Sequence, residues 1–339
     1  MKICRFKTPD ILKGVAVILM IQVHIMELFA DPQIYSSWIG RLSLFLGGPP
    51  AAPVFMAVMG YFVARSQKTV AQQILRGLKL IGLGFLLNLG LNIHVLIRIF
   101  SGEIQLNPWN FIFGVDILFV AGLGIIIIAL LRPLLRERVI AWLALALLVA
   151  AANPWLPVYS GQAGWLKYLQ AYFWGYYSWS YFPVFPWMGY VLLGFSFSLL
   201  DKKYGLSEFS VNTRFYSALI LFVILAFTFT YGSKVSAILE IYYHHNLLYF
   251  IWASGFLLFW IILWDFLVQK FDAGLFSYLR WVGKNVTSFY VFQWLLIGNT
   301  ATAIYKTQAL WSLPLWFAGV LALSSIITQA FVRIRQKTG

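Results

Sequence analysis

Ten stretches of the chain, near residues 10–30, 47–64, 79–98, 111–131, 139–156, 184–200, 214–232, 247–267, 285–305 and 312–332, are apolar over lengths that cross about 30 Å of hydrocarbon as helices. Polar and basic residues collect between them. The pattern predicts an all-α, polytopic integral membrane protein of about ten transmembrane helices. The first run is interrupted by ionisable residues along one stripe. At about 100° and 1.5 Å per residue, Lys13 and His24 fall within roughly 20° of each other and about 16 Å apart, with Asp10, Glu27 and Asp31 near the same line. A charge in the hydrocarbon costs about 2.5 to 3.5 kcal/mol even on the lenient insertion scale, so such groups face a bundle interior or a wet cavity. This run is expected to remain as helix 1. It is too long for a signal-peptide core, carries Lys13 and His24, and lacks a small-residue cleavage site.

The basic residues set the orientation. Nineteen lie in one set of alternating segments: Lys2, Arg5, Lys7, Arg65, Lys68, Arg76, Lys79, Arg132, Arg136, Arg138, Lys202, Lys203, Arg214, Lys270, Arg280, Lys284, Arg333, Arg335 and Lys337. Only five, Arg41, Arg98, Lys167, Lys234 and Lys306, lie in the other set. The positive-inside rule then places both termini in the cytoplasm, and the expected location is the cell (inner) membrane. Composition excludes a soluble chain, because 61% of residues are hydrophobic, 11% are charged and the mean hydropathy is +0.80. The net charge of +14 follows from this sidedness and calls for membrane lipids or soluble anions as partners, not nucleic acid. A lone cysteine, Cys4, excludes an intramolecular disulfide and gives no metal-binding pattern, so no metal is expected. With no repeat, soluble segment or nucleotide-binding glycine motif, residues 1–339 read as a single integral-membrane domain.

Five short segments carry a resemblance. Asp10-Ile-Leu-Lys13-Gly14 is followed by His24, and Pro53-Val-Phe-Met-Ala-Val-Met-Gly60-Tyr61 lies in the second run. Arg76-Gly-Leu-Lys79, Pro186-Trp187-Met-Gly189 and Gly283-Lys-Asn285-Val-Thr-Ser-Phe-Tyr290-Val-Phe-Gln293 follow in order. In these the chain resembles the transmembrane acyltransferase superfamily, which includes the acyltransferase-3 family and the heparan-α-glucosaminide N-acetyltransferase-like family. Lys replaces Arg at positions 13 and 79, and Gln293 stands where many relatives carry His. Helix 1 is more similar to the first branch, the Pro-Trp-x-Gly segment to the second.

The resemblance implies transfer of an acyl group, most simply acetyl, from cytoplasmic acetyl-CoA to a carbohydrate acceptor of a cell-envelope glycan or glycolipid. His24 would act as general base or as acyl-accepting nucleophile, the plain alternative being a histidine hydrogen-bonded between helices. Asp10 and Lys13 form an i,i+3 pair that either is structural or holds Lys13 against the acyl donor. Arg76 and Lys79, opening the third helix, present paired charge to phosphate, with Arg65 and Lys68 extending the patch. Glu27, Asp116, Trp187 and Gln293 are the acceptor-binding candidates. Asp116, inside an apolar run, either serves the site or pairs with Arg98. The outer aromatics between Trp155 and Trp187 read mostly as interfacial residues, and His244-His245-Asn246 as an exposed loop. The rival reading is a proton-coupled transporter or flippase with Lys13, His24 and Asp116 along its pathway. Oligomeric state is not readable from the sequence.

Overall fold

The computed structural model describes residues 8–157, 164–205, 210–270 and 274–338, so Cys4 and the basic residues Lys2, Arg5 and Lys7 lie outside the described residues. Apart from single-turn helices, the elements are α1 (Thr8–Leu28), α2 (Trp38–Gly47), α3 (Ala52–Ala64), α4 (Val70–Leu91), α5 (Ile93–Phe100), α6 (Ile117–Leu135) and α7 (Val139–Ala152). They continue with α8 (Val184–Tyr204), α9 (Val211–Ala237), α10 (Leu247–Lys270), α11 (Gly274–Lys284), α12 (Val286–Ile304) and α13 (Leu313–Thr338). No strand occurs among the described residues, only two isolated bridges, Ala30 with Gln308 and Val115 with Ser180.

Among the described residues, eight segments are long and apolar enough to cross a membrane, one of them the combined span Trp38–Ala64. Of the other two predicted runs, α7 has 14 residues. The 19 residues of α12 include Gln293, Asn299 and the hydroxyls of Thr287, Ser288, Thr300 and Thr302, which dilute its apolarity.

Three predicted boundaries are corrected. The third run begins at Val70 rather than 79, because Thr69 and Gln72 cap it reciprocally: the Gln72 N–H donates to Thr69 Oγ1 at 3.3 Å, and the Thr69 N–H to Gln72 Oε1 at 3.1 Å. Arg41, expected in a loop, lies inside α2, whose first turn is capped by the Ser37 hydroxyl. The run near 111–131 starts later, at Ile117, with Asp116 as its N-cap.

The chain divides into two compact units. One comprises Met1–Ala52, Leu89–Pro108 and Trp260–Gly339, the other Pro53–Asn88 and Trp109–Phe259. In the first, α1 packs on α11, α12 and α13. Gly14 and Gly283 let the first two backbones touch: a Cβ on Gly283 would overlap the Asp10 carbonyl oxygen, and one on Gly14 that of Leu279. The outer end of α1 is zipped to the turn after α12. Lys306 N–H donates to the Leu28 carbonyl at 2.9 Å, Gln308 N–H to that of Phe29 at 2.8 Å, and Asp31 N–H to that of Gln308 at 3.0 Å. In the second unit α8 packs on α6 and α7. Gly60 and Gly194 give α3 and α8 the same close approach.

Candidate functional site

The first unit gathers Asp10, Lys13, His24, Glu27 and Gln293. At the start of α1, Thr8 Oγ1 donates to Asp265 Oδ1 on α10 at 2.8 Å, and Lys13 Nζ lies 2.9 Å from Asp10 Oδ1. The expected i,i+3 pair is therefore formed, with Asp10 buried and Lys13 nearly so. Two turns of backbone further, Gln22 and Ser43 tie α1 to α2: Gln22 Nε2 donates to the Ser43 carbonyl at 3.0 Å, and Ser43 Oγ to Gln22 Oε1 at 2.7 Å. His24 is half-buried, and its ring lies against the Trp294 indole of α12, centroids 3.9 Å apart and planes inclined by 31°. Its Nδ1 is buried without a hydrogen-bond partner among the described residues. A helix-bridging imidazole would have this nitrogen engaged in a hydrogen bond.

Glu27 is one turn above His24, on the same face. Nearby, the Lys306 ammonium sits over the rings of Tyr35 and Tyr305, at 5.9 and 5.2 Å. Burial, with the negative charge of Glu27 and the neighbouring Tyr305 behind it, pushes the Tyr35 phenol up to about 12. Asp31, expected on the polar line of helix 1, caps the short helix Pro32–Tyr35 by accepting from the Gln33 N–H at 2.9 Å. Gln293 is fully buried, and neither its amide oxygen nor its nitrogen has a partner among the described residues.

The second unit holds Arg65, Arg76, Lys79, Asp116 and Trp187. Arg65 is engaged within its own fold: its guanidinium pairs with Asp201, donates through Nε to Ser198 Oγ at 3.2 Å, and lies over the Tyr61 ring at 4.5 Å. Arg76 and Lys79 are exposed on α4, within its second and third turns and not at its opening. Asp116 is a terminal cap, not a carboxylate inside a span: its Oδ1 accepts the Leu118 N–H at 2.7 Å. Arg98 finds Glu103 at 3.0 Å, inside the first unit. Trp187 is fully buried among Phe182, Tyr242 and His245 and gives its indole N–H to the Tyr243 carbonyl at 2.7 Å. No face of its ring is open in this arrangement.

The segment His244-His245-Asn246 is a loop with Asn246 exposed, as expected, but the exposure expected of its two histidines is overturned. His244 is 5% exposed and His245 1%. His245 Nδ1 meets the Tyr242 carbonyl at 2.7 Å and Nε2 meets the Tyr190 hydroxyl at 3.0 Å, while Asn153 donates to the His244 carbonyl at 2.9 Å. Burial pulls His244 down to about 4 and His245 to about 3. Free histidine titrates near 6.5. As pH falls below that value the unfolded chain takes up protons that the native chain refuses. Stability should therefore drop by about 1.4 kcal/mol per pH unit for each histidine until the native values are reached. The expected result is a wild-type Tm that declines from pH 7 to pH 4.5, with a shallower decline in His245→Gln. An equal slope in the two proteins would contradict the buried network.

No group of three or more His, Cys, Asp or Glu side chains placed to hold a metal ion occurs among the described residues. No curated protein matches the chain, and no solved structure matches it. A family model described as "Heparan-alpha-glucosaminide N-acetyltransferase, catalytic" matches residues 5–245, a stretch that contains His24 with the Lys13 pair, the α4 cations and the Pro-Trp-x-Gly segment. By that match across most of its length, the chain belongs to the heparan-alpha-glucosaminide N-acetyltransferase catalytic family.

Proposed function

We propose that the protein is a membrane-embedded acetyltransferase that passes an acetyl group from cytoplasmic acetyl-CoA to a hydroxyl or amine of a carbohydrate in a cell-envelope glycan or glycolipid. The observation that carries this reading is the α1 imidazole. His24 stands in a span, within the family-matched residues, with a buried Nδ1 that makes no hydrogen bond among the described residues. Neutral imidazole can take the acceptor's proton as the acceptor oxygen or nitrogen bonds to the acetyl carbonyl carbon. The C–S bond then breaks and the coenzyme leaves as thiolate, which recovers a proton. Alternatively, the imidazole nitrogen itself displaces the thiolate and then yields the acetyl group to the acceptor.

In this reading residues 1–339 form one acyltransferase domain with ten crossings and cytoplasmic termini in the cell membrane, supported by the nineteen-to-five division of basic residues. Lys13, held by Asp10, and the exposed Arg76 and Lys79 serve the donor, and Arg65 supports them through its Asp201 pair. Glu27 and Gln293 in one unit, and Asp116 and Trp187 in the other, are the residues assigned to the acceptor.

Purified protein incubated with acetyl-labelled acetyl-CoA and a panel of sugar acceptors should yield labelled sugar; release of label only as acetate, or none at all, would refute the reading. In the same assay Arg76→Ala and Lys79→Ala should each raise KM for acetyl-CoA by about 10-fold or more while leaving acceptor preference unchanged. A charge-assisted contact contributes about 1.5 to 3 kcal/mol. Unaltered donor dependence in the double variant would remove both residues from the donor site.

A further inference from the structure

The inner face of α13 is polar where a membrane helix is ordinarily apolar. Below Val320, the fully buried positions of this helix are Ser324 and Thr328, both at 0% exposure, while Leu323, Ile326, Phe331 and Ile334 point outward. Neither hydroxyl has a hydrogen-bond partner among the described residues. On α12, which packs against α13, Gln293 is likewise 0% exposed with both amide atoms unpartnered. Gln293 lies eleven residues before Ile304 and Ser324 eleven after Leu313, so both lie about 16 Å below the turn that joins the two helices. At the same scale His24 lies about 6 Å, and Lys13 about 22 Å, below the end of α1 that is zipped to that turn. Thr328, one turn further along, lies about 22 Å below the turn, so Gln293 and Ser324 fall between the depths of His24 and Lys13 and Thr328 at the depth of Lys13, on helices that also pack against α1.

Buried hydrogen-bonding groups left unpaired cost free energy, and doubly so in hydrocarbon, where water does not wait nearby. Three of them within about one helical turn of depth form a set of donors and acceptors without charge. We infer that Gln293, Ser324 and Thr328 form a binding site for an uncharged segment of a substrate that carries amide or hydroxyl groups. The inference rests on the acetyltransferase reading and extends it to α12 and α13, which lie beyond the residues matched by the family model. A carboxamide both donates and accepts, so Gln293 pairs with an amide or a vicinal diol, and the two hydroxyls supply whichever half the ligand lacks. Charged segments are disfavoured there, because no ionisable side chain belongs to the set.

The test replaces each group by an apolar side chain of similar size, Gln293→Leu, Ser324→Ala and Thr328→Val, and follows Tm in detergent alone, with coenzyme A, with acetyl-CoA and with glucosamine. Without a probe the variants should be as stable as wild type or more so, since an orphaned polar group is removed. With a probe, they should lose most of the wild-type Tm increase, and KM for that substrate should rise at least about 10-fold. Loss confined to acetyl-CoA and coenzyme A assigns the site to the donor, and loss confined to glucosamine assigns it to the acceptor. Variants that keep the full probe-induced increase and KM overturn the inference. So do variants destabilised without a probe, which would mark a structural hydrated core. Wild type that transfers label normally while the variants behave like it sinks this inference alone. A wild type that gains no stability from any probe and transfers no label overturns the acetyltransferase reading, and this assignment with it.

Discussion

Replacing His24 by alanine or by glutamine is expected to reduce acetyl transfer by about 100-fold or more while the protein still inserts and elutes as a single species. The glutamine variant decides the role. If the ring only packed on Trp294 at 3.9 Å or bridged helices, glutamine would retain much of the activity and alanine would mainly lower Tm. A base or nucleophile tolerates neither, because a carboxamide accepts no proton near neutral pH and does not take up an acyl group. Wild-type turnover should also fall as acid protonates the imidazole, since only the neutral form can act. Near-wild-type transfer by a well-folded His24→Gln protein would end the proposal for this residue.

The largest structural effect is expected at the crossing of α1 and α11. Gly283→Leu places a side chain where the Asp10 carbonyl oxygen stands, and Gly14→Val does the same against Leu279. Overpacking a side-chain core typically costs about 1 to 3 kcal/mol, and here the obstacle is backbone on a helix that cannot bend away without breaking its own hydrogen bonds. Each variant should therefore lose at least about 3 kcal/mol and be recovered largely as aggregate in size-exclusion chromatography. Gly255→Ala on α10, where an added Cβ meets nothing within 4 Å, is the control and should elute as wild type. If Gly283→Leu elutes and melts like that control, the two backbones do not touch as described.

Helices were readable wherever lipid imposes them. A backbone in hydrocarbon must satisfy its own hydrogen bonds, so ten apolar runs announced ten helical regions. Helix starts were less legible through hydropathy alone, which sees apolarity and not capping. Thr69-Val-Ala-Gln72 is a capping box written in the sequence, and it moves the start of α4 by about two-fifths of its length. Asp116 illustrates the same confusion, because a carboxylate next to an apolar run looks intramembrane until its cap geometry is seen. The Asp10–Lys13 pair was legible because its partners are three residues apart. The surroundings of His245 were not, since Tyr190 and Tyr242 reach it from separate segments and no local pattern encodes that meeting. Trp294 faces His24 across 270 positions of sequence, for the same reason.

The pairing of Leu28 to Asp31 with Lys306 to Gln308 has a kinetic consequence. Helix termini normally fray on fast timescales, and a catalytic group one turn from an end would inherit that motion. Here the carbonyls of Leu28, the last residue of α1, and of Phe29 after it are taken by a neighbouring backbone, and Lys306 holds a left-handed conformation (φ 55°) there. His24 is in effect mounted on a pinned bearing. The ring can turn about its own side-chain bonds, while the main chain one turn beyond it is tied by these backbone hydrogen bonds. If His24 acts as proposed, this anchoring would hold its main chain in place from one turnover to the next and leave acceptor admission to movements of neighbouring side chains.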